Sequence, residues 1–224
     1  MSKRAILLLA VIALAAGAGL LASRMLLPAR GAAEAVAAAS FTVLPAPRTL
    51  PAFTLQQSDG TPLTGAELQG HWTVVFLGFT HCPDICPTTL AQLARAQKAW
   101  AALPATSRPR VLFVSADPGR DSPELAGSYA HAFHPDTLAA TAPVPALEAF
   151  ARSLSLVFMK VPGSSGEPGD YSIDHSAALV LLDPQARMAG VVQPPFDVDG
   201  LAADLHRLTT STPPQPSAAT QGGE

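Results

Sequence analysis

The chain has 224 residues, is 48% hydrophobic and carries a formal net charge of -3. Past its first residues it has no basic run and no interleaving of basic with aromatic residues, which excludes an electrostatic surface for nucleic acid. With the terminal segments set aside, roughly 160 residues remain, enough for one domain around one core.

In chain order, Lys3 and Arg4 precede an unbroken apolar run over residues 5–22. That run is longer than a usual signal-peptide core and long enough to cross most of a bilayer. Residues 1–23 are therefore expected to form an uncleaved N-terminal transmembrane helix, with the leading basic residues keeping the N-terminus in the cytoplasm. Small-residue cleavage patterns at residues 33–35 and 37–39 lie well beyond the run, past Arg24, Pro28 and Arg30, and the segment has no cysteine for lipid attachment. An Ala- and Pro-rich linker over residues 24–47 leads to the expected domain, residues 48–208. Residues 209–224 are Thr, Ser, Pro, Gln and Gly with almost nothing to bury, and are expected to be disordered.

Within the domain, the Ser58-Asp59-Gly60 turn between short apolar stretches predicts an entry hairpin over residues 53–63. Residues 73–79 and 110–115 are apolar without alternation, as in strands buried on both faces, and each precedes a helical pattern. Leu90, Leu93, Ala94, Gln97 and Trp100 share one helical face, with Pro87 as the expected start. Ser122 and Pro123 are placed to cap and open the next helix, which runs to Phe133. A helix over 144–154, a strand over 156–161 and a Gly-, Ser- and Pro-rich loop over 162–174 follow. Strands over 177–182 and 188–192, joined by a hairpin connection, and a closing helix over 198–208 end the domain. A βαβ unit first and an antiparallel hairpin last is thioredoxin-like α/β architecture, a central mixed sheet flanked by helices.

The segment Cys82-Pro83-Asp84-Ile85-Cys86-Pro87 holds the only two cysteines, at the end of the first buried strand. Two sulfurs so spaced either converge on one soft metal ion, copper(I) or zinc, or close a five-residue disulfide ring. As a structural staple the ring would be poor, since closing so short a loop removes only about 2 kcal/mol of unfolded-state entropy. A catalytic dithiol usually reads CxxC, whereas three residues intervene here, and no proline precedes Ala177 where thioredoxins place one beside their dithiol. A peroxidatic site is disfavoured too, because Thr80 stands two residues before Cys82 rather than three.

These residues, together with Gly78-Phe79-Thr80-His81, the stretch from Ser115 to Pro123 and Asp174-His175-Ser176, resemble the Sco/SenC family from about Leu50 to Leu208. The resemblance implies a membrane-tethered, thioredoxin-fold copper protein that helps assemble the dinuclear copper site of cytochrome c oxidase. It implies that Cys82, Cys86 and His175 bind one copper ion, as Cu(I) or Cu(II), and two thiolates with an imidazole suit that metal. The expected setting is the bacterial inner membrane, single-pass, with the domain in the periplasm. The expected partners are the copper-bearing oxidase subunit, other periplasmic copper chaperones and thiol reductants. A second reading, from an enzyme class, makes Cys82 and Cys86 the redox pair of a thiol-disulfide reductase that keeps the oxidase copper-site cysteines reduced.

Other side chains have ordinary explanations. Asp174 is placed to orient the His175 ring, and His81 adjoins Cys82 but should leave the loop in another direction. His131 and His134 share a helical face without a third ligand; Asp117 and Asp121 suit a turn and a helix start; Met159 and Met188 suit the core.

Overall fold

The computed structural model describes residues 40–165, 167 and 169–211. The expected transmembrane segment, residues 1–23, lies outside the described residues, and no described helix is long and apolar enough to cross a membrane. Strand β4 (Thr73–Gly78) is buried at every position, and β5 (Arg110–Ser115) at all but its first. They pair in parallel, Thr73 opposite Arg110 and Gly78 opposite Ser115. The crossover between them is α1 (Ile85–Trp100), which buries Leu90, Leu93, Ala94, Gln97 and Trp100, the face expected from their spacing.

Around this unit lie β1 (Thr42–Arg48), β2 (Leu55–Gln57), β3 (Pro62–Leu63), β6 (Leu138–Thr141), β9 (Leu179–Leu182) and β10 (Met188–Val192). They complete an eight-stranded mixed sheet in the order β1-β10-β9-β4-β5-β6-β2-β3. The remaining helices are α2 (Pro123–His131), α3 (Val144–Ser153) and α4 (Val198–Ser211). Trp100 is fully buried and donates its indole N–H to the Ala202 carbonyl at 3.0 Å, joining α1 to α4. At the start of α2, Ser122 caps as expected, its hydroxyl oxygen accepting from the Leu125 amide at 3.2 Å. The thioredoxin-like arrangement of a central mixed sheet with helices is thus present.

Four expectations need correction. The linker does not reach residue 47: β1 pairs with β10, Phe41 is in the core, and the Ser40 hydroxyl donates to Asp204 at 2.6 Å. Pro45 and Pro47 concealed this strand, yet both fit it because β1 is an edge strand with a register shift. The expected disordered tail begins too early, since α4 continues to Ser211. Strand β6 went unexpected because Leu138-Ala139-Ala140-Thr141 has little β-branched content, although it pairs with both β5 and β2. Finally, the loop expected over 162–174 contains β8 (Tyr171–His175), which pairs with β7 (Phe158–Pro162) in a separate two-stranded sheet.

Candidate metal centre

Strand β4 ends at Gly78, and the loop that follows carries Cys82 into α1. The helix starts at Ile85, two residues before Pro87, so Cys86 lies in its first turn rather than ahead of it. Cys86 precedes Leu90 by one turn on the inward face and is wholly buried, whereas Cys82 is partly exposed. Both thiols are free. The Cys86 amide, one of the N–H groups that a helix start leaves unpaired, points at the Cys82 sulfur at 3.4 Å. Asp84, at the N-cap position, makes no side-chain cap, so the sulfur takes that place.

Gly78 is what admits the thiol. A methyl group there would lie 3.0 Å from the Cys86 sulfur, 3.0 Å from Phe113 and 3.1 Å from Phe76. Burial in this apolar wall pushes the Cys86 pKa from the ordinary 9.0 up to about 12, with Cys82 and Asp121 adding to the rise and a backbone hydrogen bond at Phe79 opposing it. Position in the first turn of a helix ordinarily favours a thiolate, but desolvation outweighs it here.

His175 closes the site from the other side. It is the last residue of β8, its Nε2 lies 3.8 Å from the Cys86 sulfur, and its ring stands edge-on to Phe76 and Phe79. Its Nδ1 is 3.0 Å from the Ser176 carbonyl oxygen, a contact that requires the proton on Nδ1 and leaves the Nε2 lone pair facing the thiol. Asp174 does not orient the ring as expected: it is exposed, opposite Met159 on the outer face of the hairpin, while the ring partner is a backbone carbonyl.

The structure therefore brings Cys82, Cys86 and His175 to one end of β4. The donors, two sulfurs and an imidazole nitrogen with its free lone pair directed inward, are those that a soft metal ion takes. Among the described residues, no three His, Cys, Asp or Glu side chains stand close enough together to hold a metal ion as they are placed.

Two carboxylates that suited a turn and a helix start from sequence prove to hold this site. Asp121 is fully buried and accepts from the Thr80 amide at 2.8 Å, the Thr80 hydroxyl at 2.5 Å and the Ser115 hydroxyl at 2.5 Å, pinning the loop that bears Cys82. Asp117 accepts from Arg120 at 2.5 Å and from the Tyr171 hydroxyl at 2.8 Å, while Arg120 also donates to the Tyr171 carbonyl at 3.1 Å. This lock ties the β5–α2 loop to the hairpin that presents His175. The burial that makes these residues important comes from tertiary packing, and no local pattern announced it.

The other candidates fall away. His81 turns to Thr80 and Asp121, at 3.0 and 3.5 Å. Helix α2 ends at His131, so His134 is not on its face; His134 instead accepts from the Asp136 amide at 3.2 Å. Met188 is in the core as expected, but Met159 is 63% exposed and fills none of it.

Comparison with known proteins fits this geometry. The sequence model of the SCO1/SenC family matches residues 31–210. A Stutzerimonas stutzeri protein named for copper binding is 34% identical over 172 residues, 76% of this chain and 81% of that protein. The mitochondrial protein SCO1 homolog 1 of Arabidopsis thaliana is 35% identical over 151 residues, 66% of this chain, which spans only 43% of that relative. The crystal structure of Arabidopsis thaliana ScoI with copper bound superposes with a TM-score of 0.63 at 31% identity, covering 70% of this chain and 98% of that one.

Proposed function

This chain belongs to the SCO1/SenC family, and on that premise we propose that it is a copper metallochaperone whose ligands are Cys82, Cys86 and His175. The observation that carries this reading is the His175 Nε2 facing the buried Cys86 sulfur at 3.8 Å, with the Cys82 sulfur on the Cys86 amide. Copper is cargo here. Its arrival displaces the thiol protons to solvent and draws the Cys82 side chain in as the third ligand.

The recipient is the dinuclear copper site of cytochrome c oxidase, and release is switched by the cysteines. Oxidation of the copper-loaded pair joins two thiolate sulfurs whose protons left when the metal bound, passes two electrons to a disulfide-bearing oxidant and so removes two ligands at once, releasing the ion. The alternative, a thiol-disulfide reductase, gains little from Cys86, whose burial and raised pKa suit a captured ligand better than a nucleophile. Residues 1–23 anchor the domain to the bacterial inner membrane with the domain in the periplasm, and confinement to the recipient's bilayer raises the effective concentration of donor and acceptor.

Anaerobic Cu(I) titration tests the reading: the reduced protein should bind one ion and the oxidised protein none. Turnover of disulfide substrates by the reduced protein without copper uptake would favour the reductase instead.

A further inference from the structure

Strands β7 and β8 form a sheet of only two strands, a size that is marginal by itself. Arg120 donates to the Tyr171 carbonyl, so the outer edge of β8 faces the β5–α2 loop. The opposite edge, that of β7, pairs with no further strand among the described residues. The Ser176 amide donates to the Val157 carbonyl and the Gly163 amide to the Asp170 carbonyl, so the bonded pairs of the ladder fall at Val157–Ser176, Met159–Asp174, Val161–Ser172 and Gly163–Asp170. Antiparallel alternation then turns the N–H and C=O groups of Phe158 and Lys160 outward, away from β8.

One face of this strand is open as well. Val157, Met159 and Val161 alternate along it and are 66%, 63% and 37% exposed, while Phe158 packs against the core. Unpaired edges are normally blunted by charge, proline or a covering element. Here only Lys160 and Pro162 serve that end, and the Lys160 ammonium is turned onto the Tyr171 ring, 3.5 Å from its centre. A second copy of the same strand completes this edge in one register. Antiparallel pairing centred on Met159 sets Phe158 opposite Lys160 of the second copy and Lys160 opposite its Phe158, so the outward-facing backbone groups meet on both sides. Val157 then faces Val161 of the second copy, and the two Met159 side chains face each other. A centre at Phe158 would need residues 154–156, where the Ser155 φ of 59° breaks the extended chain. A centre at Lys160 opposes two lysines, and one at Val161 calls on the N–H that Pro162 lacks.

We propose that two copies of this chain associate through β7, antiparallel and centred on Met159, joined by backbone hydrogen bonds at Phe158 and Lys160 and by the strip of Val157, Met159 and Val161 from each copy. The twofold axis closes the assembly at a dimer. Joining the hairpins gives a four-stranded sheet, and because Phe158 stands opposite His175, each copy steadies the strand pair that presents the other's histidine. So short a pairing buries less than the ~1,200 Å² usual for stable specific complexes, so the association is reversible. The inference stands on strand geometry and does not depend on the copper reading.

The test is disulfide cross-linking of the full chain in mild detergent, with Cys82→Ser and Cys86→Ser removing the native thiols and one new cysteine added at a time. Across the twofold axis the two copies of position 159 lie about 4.5 Å apart at Cα, within reach of a disulfide, whereas position 157 or 161 lies roughly 14 Å from its own counterpart. Met159→Cys should therefore form a disulfide dimer under oxidised glutathione. Val157→Cys and Val161→Cys should each fail to do so alone, and a mixture of those two should cross-link. With both native cysteines kept, Met159→Lys sets two ammonium groups face to face across the axis while gaining Asp174 as a neighbour in its own hairpin. It should sediment as a monomer at concentrations where wild type dimerises, with its unfolding temperature unchanged. Equal cross-linking at all three positions, or none at Met159→Cys, would overturn the proposal. In the second case, protection of that cysteine from a water-soluble maleimide by phosphatidylcholine vesicles would assign the strip to a lipid surface instead.

Discussion

Cys86 has no exposed surface and is walled by Gly78, Phe76 and Phe113 at the end of the main sheet, whereas His175 ends a hairpin that shares no strand pairing with that sheet. The sulfur side is positioned by close packing, where a shift of even one methylene is felt. The imidazole side combines packing of Ile173 and the His175 ring with polar contacts, Tyr171 standing four residues closer to the tip on the same hairpin face and fastened to Asp117 and Arg120. Half the site thus belongs to the main sheet, and the other half sits on a separate hairpin docked by buried Ile173 and by a few hydrogen bonds. Substitutions on the first side should cost both stability and binding, while those on the second should cost binding mainly.

The largest effect is expected at the ligands. Cys86→Ser exchanges soft sulfur for a mostly protonated hard oxygen, and its loss of Cu(I) affinity should exceed the roughly 100-fold ceiling typical of changes to groups behind the ligands. His175→Ala should also lose most of the affinity while leaving the apo unfolding temperature within a few degrees of wild type. Competition titrations and thermal scans on both variants check the contrast. Wild-type affinity in His175→Ala would remove the histidine from the site.

Asp121→Ala comes next. It leaves the Thr80 amide and the Thr80 and Ser115 hydroxyls without their acceptor. The cost should be about 3 kcal/mol in denaturant unfolding, since each buried donor left unpaired costs on the order of 1–3 kcal/mol. Copper affinity should fall with it, because the Cys82 loop is no longer pinned.

Tyr171→Phe should be milder, removing one bond to Asp117 and lowering stability by about 1 kcal/mol. Its Cu(I) affinity should nevertheless drop about tenfold, as expected when a group behind a ligand is lost. An affinity loss no greater than the stability loss would mean that the lock does not serve His175.

The buried side and the attached side were also unequally legible in the sequence. Strands β4 and β5 announced themselves through Val74 to Leu77 and Val111 to Val114, because strands buried on both faces read as unbroken apolar runs. The face of α1 was equally clear, but starting the helix at Pro87 instead of Ile85 hid the fact that Cys86 is on that face. The hairpin strand β8 was concealed because Tyr171, Ser172 and Asp174 follow a Gly- and Ser-rich stretch and pair only with β7, so local composition resembles a loop. Asp117 and Asp121 matter through partners distant in sequence, such as Tyr171 and Thr80, which no local pattern connects to them. His175 was found only through the motif around it, not through its surroundings.

The smallest expected effect is on pH dependence. The folded protein holds the Cys86 proton more tightly than the unfolded chain, because burial raises the pKa from 9.0 to about 12. The stability this contributes is present in full below pH 9.0 and is lost as pH climbs toward about 12. Copper must displace the same proton, so Cu(I) affinity should rise with pH through the neutral range, by about tenfold per unit for that proton. A Cys86→Ser protein should show a shallower slope in both measurements.

The central claim, that one sulfur from the core, one from the loop after β4 and one nitrogen from the hairpin meet on a single copper ion, is tested most directly by X-ray absorption of the reduced protein loaded anaerobically with one equivalent of Cu(I). The account predicts two sulfur neighbours and one nitrogen neighbour, with the nitrogen shell lost in His175→Ala. An unchanged nitrogen shell in that variant, or a single sulfur neighbour in the wild type, would contradict it.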